Sequence, residues 1–267
     1  MSDSLTRERR GQRLHRWIPP VVLACMTMAG WEFAVWALEI QPFLLPSPSR
    51  VARAIAADWM GLLSAARFTV TAALCGLCVS VLVGTAIAIV FSQSTVLRRS
   101  GYPYAIYLQS APIVAIAPLL ATWIGEGFAA IVVVVFIISL FPIITNATDG
   151  LLAVPEDLRE LFRLNHATRW QTLTRLQLPN ALPRILSGVK VSSAMVVLGA
   201  TVGEYFVGSF TRQDTGLGHV IFKSSSLMQT DRLFAATIIC TILSVIIFYS
   251  VSGIANRVVH WETTAGD

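Results

Sequence analysis

Between Pro155 and Pro183 the chain reads PEDLRELFRLNHATRWQTLTRLQLPNALP, a polar, arginine-rich stretch bounded on both sides by apolar runs. It carries the start and stop signals of two short helices. Pro155 suits a first helical position, where its fixed φ is already helical and its missing N–H is not needed. Glu156 and Asp157 follow, where the helix dipole favours negative charge. Leu158, Leu161 and Phe162 then recur as one apolar stripe, with Arg159, Glu160 and Arg163 on the opposite face. Asn165 and His166 interrupt the pattern, and both residue types tolerate the positive φ of a sharp reversal. Thr168 with Gln171 three residues later forms a capping box, so a second helix is expected from about Arg169 to Leu178, where Pro179 stops it.

Outward from this segment, the composition is that of a membrane protein. Of 267 residues, 55% are hydrophobic and 13% charged, against about 25% charged in soluble domains. Mean hydropathy is +0.67. Apolar runs at 18–40, 68–91, 102–124, 128–148, 185–206 and 233–259 each approach the roughly 20 residues that a spanning helix needs. The expected fold is an all-α integral membrane protein of six transmembrane helices. Residues 1–17 form a polar arm, 18–259 a single membrane domain containing the segment 155–183, and 260–267 a tail. Residues 47–63 differ: Val51, Ala52, Ile55, Ala56 and Trp59 oppose Arg50, Arg53 and Asp58, the pattern of a helix on the membrane surface. The first run is too long for the hydrophobic region of a signal peptide and is expected to remain as a span.

Arginine placement orients the spans, because basic residues are retained on the cytoplasmic side. Arg7, Arg9, Arg10, Arg13 and Arg16 put the N-terminus inside. Six spans then place Arg98 and Arg99, Arg159 to Arg184, and Arg257 inside too, leaving Arg50, Arg53, Arg67, Arg212, Lys223 and Arg232 outside. Both termini and the 155–183 segment are therefore expected in the cytoplasm. The net charge of +5 resides at segment ends and suits anionic lipid headgroups rather than nucleic acid.

Catalytic chemistry finds no constellation. Cys25, Cys75, Cys78 and Cys240 fall inside apolar runs, so Cys75-Gly-Leu-Cys78 lacks the setting of a redox motif and reads as packing. His15, His166, His219 and His260 show no metal-ligand spacing, and no metal site is expected. The only lysines, Lys190 and Lys223, follow Val189 and Phe222, so no Gly-Lys-Ser/Thr phosphate loop exists. The chain cannot bind ATP in that way.

The 155–183 segment resembles the cytoplasmic signature loop of ABC importer permeases, whose form is Glu-Ala-Ala, three residues, Gly, nine residues, Ile, then Leu-Pro. Glu160, Leu161 and Phe162 stand at the Glu-Ala-Ala positions, His166 at the glycine and Leu178-Pro179 at the end. Arg169-Trp170-Gln171 and Ala181-Leu182-Pro183 agree with the nitrate, sulfonate and taurine branch, as do Leu45-Pro46-Ser47-Pro48-Ser49, Pro112 through Trp123, and Glu204. The resemblance implies a type I importer fold in the bacterial inner membrane and a small solute, an oxyanion, sulfonate or similar organic anion. It implies two ABC ATPase subunits that bind ATP and Mg, a second copy of this chain, and an extracytoplasmic solute-binding protein. It also assigns ATPase coupling to Leu158, Glu160, Leu161, Phe162, Asn165, His166, Thr168, Arg169 and Trp170. The plainer alternative is that these residues cap the bundle, with Glu160 paired to Arg163 or Arg159.

Polar residues within spans are costly unless they face protein or water. Ser110, Pro112, Ser139, Asn146, Ser193, Thr201 and Glu204 are candidates for the wall of a translocation pathway, and small polar residues equally serve helix packing. Glu204 either lines a pathway mouth or locks two spans together. Lys190 is expected to snorkel to the interface, and Glu32 to pair or to lie near the surface. An ion-gradient transporter using Glu32 and Glu204 is the alternative function; it would require inverted repeats and a midplane carboxylate.

Overall fold

The computed structural model describes Pro19, residues 22–207 and residues 215–258. The N-terminal arm with its arginines and His15, Arg212, His260 and the tail lie outside the described residues. The elements in chain order are α1 (Val22–Ala37), α2 (Pro48–Ala57), α3 (Trp59–Gln93), α4 (Thr95–Ser110), α5 (Ile113–Ile124), α6 (Phe128–Leu152), α7 (Glu156–Leu164) and α8 (Arg169–Thr172). A π-helical turn at Leu173–Gln177 leads into α9 (Leu178–Ser193), followed by α10 (Val196–Val207), α11 (Leu217–Ser226) and α12 (Thr230–Val258). No strand occurs among the described residues.

Among the described residues each apolar run is mainly helical, but not always one helix. By length and composition α3, α6 and α12 can each cross a membrane alone. Two bent pairs meet the same length and composition when each is taken together: α4 with α5 at 98°, and the α8–α9 stretch with α10 at 41°. The first run yields α1, a shorter apolar helix. The break in the third run has a local cause. Pro112 offers no N–H and pushes Ala111 into extended backbone (φ −69°, ψ 133°), ending α4 there. The surface helix expected over 47–63 is shorter: it ends at Ala57, Asp58 closes it by donating its N–H to Ala54 O, and α3 starts at Trp59.

The described residues form two compact units, one up to Trp59 together with Ser224–Ala235, the other from Met60 to Lys223 together with the chain from Ala236 onward. In the first, Glu32 of α1 accepts hydrogen bonds from the Ser49 N–H (3.0 Å) and Ser49 Oγ (2.8 Å). A carboxylate thus sits at the start of α2, where the dipole favours it, and Glu32 is paired. Arg50 meets Asp231 at 2.9 Å, Arg232 pairs with Asp58, and Thr230 Oγ1 donates to Phe43 O at 2.9 Å.

The second unit holds the core. Ala72, Ala73 and Leu77 of α3 meet Ile131, Val134 and Val135 of α6, Ala117 and Leu120 of α5, and Val196, Val197 and Ala200 of α10. Small residues permit close approach: a Cβ on Gly76 would collide with the Val135 side chain. Hydroxyls fix the register. Ser80 Oγ lies 2.6 Å from Ser139 Oγ, and Ser192 Oγ donates to Ser139 O at 2.7 Å, stitching α3, α6 and α9. Lys190 Nζ donates to Asn256 Oδ1 at 2.8 Å, joining α9 to α12. Cys75 and Cys78, expected to pack, are instead free thiols on the exposed face of α3.

Candidate functional site

The segment between α6 and α9 takes the two-helix form, with one difference of consequence. Its first helix, α7, has Glu156 and Asp157 in its first turn and Arg163 in its last, charges that oppose the dipole at both ends. Arg159 Nη2 reaches back to Leu152 O at 2.8 Å and ties α7 to the end of α6. Asn165 Nδ2 donates to Leu161 O at 2.8 Å, and the reversal falls on His166, at φ +50°. The capping box is present in both directions: Gln171 N–H to Thr168 Oγ1 at 3.2 Å, and Thr168 N–H to Gln171 Oε1 at 2.8 Å.

The second helix does not stop at Pro179. α8 passes through the π turn into α9, so one helical rod runs from Arg169 to Ser193. A π turn widens the backbone immediately ahead of Pro179, where the ring would otherwise press on the preceding turn. Leu173 and Leu176 are buried, and Leu173 packs with Ala147 and Leu151 of α6, Ala88 of α3, and Ala181 and Ile185 of α9. The rod is seated in the bundle; α7 is not.

No residue of α7 is buried. Leu158 and Leu161 are 42% and 52% exposed, Leu164 and Trp170 are 70% and 72% exposed, and Phe162 is half-buried. The stripe faces outward, leaving an apolar surface of a few side chains on a short helix, with Asn165, His166, Thr168 and Arg169 exposed beside it. Glu160 meets Arg163 at 3.3 Å, one of the pairings expected, yet both side chains are well exposed, and such a pair adds little stability.

His166→Gly tests the turn. Glycine adopts positive φ without the steric cost that histidine meets there, so transport is expected to stay within about twofold of wild type. An uptake assay checks this; complete loss would give the imidazole a role of its own.

The pathway candidates are not brought together. Ser110 is exposed and its Oγ bonds Ile106 O of its own helix at 2.9 Å, while Pro112 is exposed at the break after α4. Asn146 is half-buried with Nδ2 donating to Pro142 O at 2.8 Å. Thr201, also half-buried, donates to Val197 O at 2.8 Å. Ser139 and Ser193 are buried, and their hydroxyls are used within the bundle, Ser193 donating to Lys190 O at 2.7 Å. Between α3 and α9 runs an apolar groove of about 740 Å³, whose lining includes Val81, Leu82, Thr85, Ile185, Leu186 and Val189, none of them among the candidates.

Glu204 is 1% exposed. Its Oε2 accepts from Thr69 Oγ1 of α3 at 3.0 Å and from the Gly218 N–H of α11 at 2.8 Å. Thr69 Oγ1 in turn accepts the Leu217 N–H at 2.9 Å. Thr69, Gly216 and Gly218 were not singled out by the sequence, in which a threonine far along the chain from Glu204 carries no mark of its partner.

A model of the family described as binding-protein-dependent transport system inner membrane component matches residues 76–261. The chain is similar to the formylaminopyrimidine transport permease protein ThiX of Halalkalibacterium halodurans, at 27% identity over 94% of this chain and 98% of that protein. It is also similar to the putative aliphatic sulfonates transport permease protein SsuC of Bacillus subtilis, at 24% identity over 97% of this chain and 92% of that one. Among solved structures, a chain of the MetNI methionine ABC transporter in an inward-facing conformation shares the fold with a TM-score of 0.65 at 17% identity, covering 75% of this chain and 97% of that chain.

Proposed function

The chain belongs to the family of binding-protein-dependent transport system inner membrane components, which makes it a membrane-spanning ABC transporter permease subunit, and from that premise we propose how it works. It forms the translocation pathway of an ATP-driven importer, takes its solute from a binding protein on the outer side, and works as one of two copies paired with two ATPase subunits. Its ends and the α7–α8 segment face the cytoplasm, in keeping with the arginines at 98, 99 and 159–184.

The observation that carries this reading is the exposed α7 stripe joined, through one turn at His166, to a rod seated in the bundle core. A short amphipathic helix with an uncovered apolar face fits a groove on a partner. A rod anchored by Leu173 and Ile185 would carry the partner's movement into α9, a rigid-lever arrangement. The chain has no phosphate loop, so ATP and Mg are held by the partner. The solute is a small oxyanion, a sulfonate such as taurine or a similar organic anion, the range that the resemblance implies.

The test is reconstitution of this chain in lipid with the ATPase and binding protein encoded beside it. Solute-loaded binding protein is expected to stimulate ATP hydrolysis and to drive uptake. Uptake driven by an ion gradient, without nucleotide, would overturn the reading in favour of a secondary transporter.

A further inference from the structure

The Glu204 cluster lies far from the α7 segment in sequence and joins three elements that share no local signal. α11 begins at Leu217, and the first N–H groups of a helix have no partner within it. Two of these are supplied from elsewhere: the Leu217 N–H by Thr69 of α3, the Gly218 N–H by Glu204 of α10. Thr69 and Glu204 are also bonded to each other. The approach is as close as the backbone allows. A Cβ on Gly216 would fall on the Glu204 carboxyl group, and one on Gly218 would fall on the Thr201 carbonyl. Farther along α11, Phe222 meets Tyr205 of α10 edge to face at 5.1 Å.

Glu204 Oε1 has no hydrogen-bond partner among the described residues. A carboxyl group wholly inside a spanning bundle with one oxygen unsatisfied is costly to keep there. What the group does in return is hold α11. We propose that Glu204 and Thr69 are positioning residues for transport: together they lock the start of α11 onto α3 and α10, so that the three elements move as one body when the pathway changes access. Glu204 touches no solute in this arrangement. Its acceptor oxygen matters and its charge does not. The proposal rests on the importer reading above.

The experiment uses the reconstituted importer and four variants: Glu204→Ala, Glu204→Gln, Thr69→Val and Thr69→Ser. Hydrogen exchange of the peptide spanning 215–226 is measured beside solute moved per ATP hydrolysed. Each of Glu204→Ala and Thr69→Val strands a buried N–H, so exchange of the first turn of α11 is expected to quicken by about tenfold. Solute moved per ATP falls by a similar factor, about tenfold, while complex assembly and stimulated hydrolysis stay within about twofold. Glu204→Gln keeps an acceptor and Thr69→Ser keeps the hydroxyl, and both stay near wild type in both readouts. Were Glu204→Ala to fail to fold, Thr69→Val, which leaves the carboxyl group in place, still reads the lock.

Unchanged exchange in Thr69→Val overturns the proposal, as does faster exchange with the transport ratio intact, which would leave a merely structural contact. Glu204→Gln as defective as Glu204→Ala would move the role to the charge and likewise overturn it. Failure of the importer reading is separate and visible in the wild type, as absence of stimulated hydrolysis.

Discussion

Leu161→Asp removes binding-protein-stimulated ATP hydrolysis by about a hundredfold or more, and the folded permease is recovered in wild-type amounts. Both halves follow from the same placement. Leu161 is 52% exposed on a helix with no buried residue, so the substitution takes nothing from the core, and surface changes of this kind stay within about 0.5 kcal/mol. In a partner's groove the same carboxylate must be stripped of water without a counter-ion, at a cost of at least about 3 kcal/mol. At roughly 1.4 kcal/mol per factor of ten, that is a hundredfold. Glu160→Ala is the useful comparison. Its pairing with Arg163 is exposed and adds little stability, so any loss of hydrolysis in that variant reports on a cation of the motor and not on the shape of α7. The measurement is co-purification of the ATPase together with its hydrolysis rate in lipid. Wild-type hydrolysis in Leu161→Asp would mean that this stripe faces lipid or solvent in the complex and that coupling runs through another surface.

What the sequence made legible was local. Glu156 and Asp157 in a first turn, the Thr168–Gln171 box and the reversal at His166 are each written within four residues, and each takes the form read from it; Pro155 stands one place earlier than read, as the cap before the helix, with ψ 138°. The apolar runs also became helices, because with no water to bond the backbone only internally satisfied structure is stable in lipid. Pro179 misled, since proline is a stop signal only while the helix keeps its i to i−4 ladder; the π turn at Leu173–Gln177 changes the ladder and the rod continues. Pro112 reads as a pathway candidate, and the structure shows it ending α4, with α5 following at 98°. Long-range pairing left no trace at all. Ser139 reads as a candidate for a pathway wall, and only the bundle shows it joined to Ser80 and Ser192 in one ladder. Glu204 was read either as a pathway mouth or as a lock between spans, and its bonds to Thr69 and Gly218 belong to the second. The bond from Lys190 to Asn256, 66 residues farther along the chain, left no trace for the same reason.

Gly188→Val prevents α6 and α9 from closing, and it is expected to lower the melting temperature of the detergent-solubilised permease by about 10 °C, or to leave no folded protein. A Cβ on Gly188 would lie 2.8 Å from Pro142 O and 2.9 Å from Asn146 Cβ. Neither neighbour can yield. Pro142 O already accepts from Asn146 Nδ2 at 2.8 Å and from Thr145 Oγ1 at 3.1 Å, so moving it breaks both bonds. One turn farther along α9, Ser192 donates to Ser139 O at 2.7 Å, and a gap opened at Gly188 separates this pair as well. Overpacking a full core costs about 1–3 kcal/mol, and lost buried hydrogen bonds add to it. Ser187, the neighbouring residue, is exposed and bonded only to Pro183 O of its own helix, so Ser187→Val is the control and is expected to melt as wild type does. Equal melting of the two variants would mean that α9 does not lie this close to α6. The rod that begins at Arg169 would then lack the seat against which it levers, and the exposed α7 stripe would have nothing rigid to push.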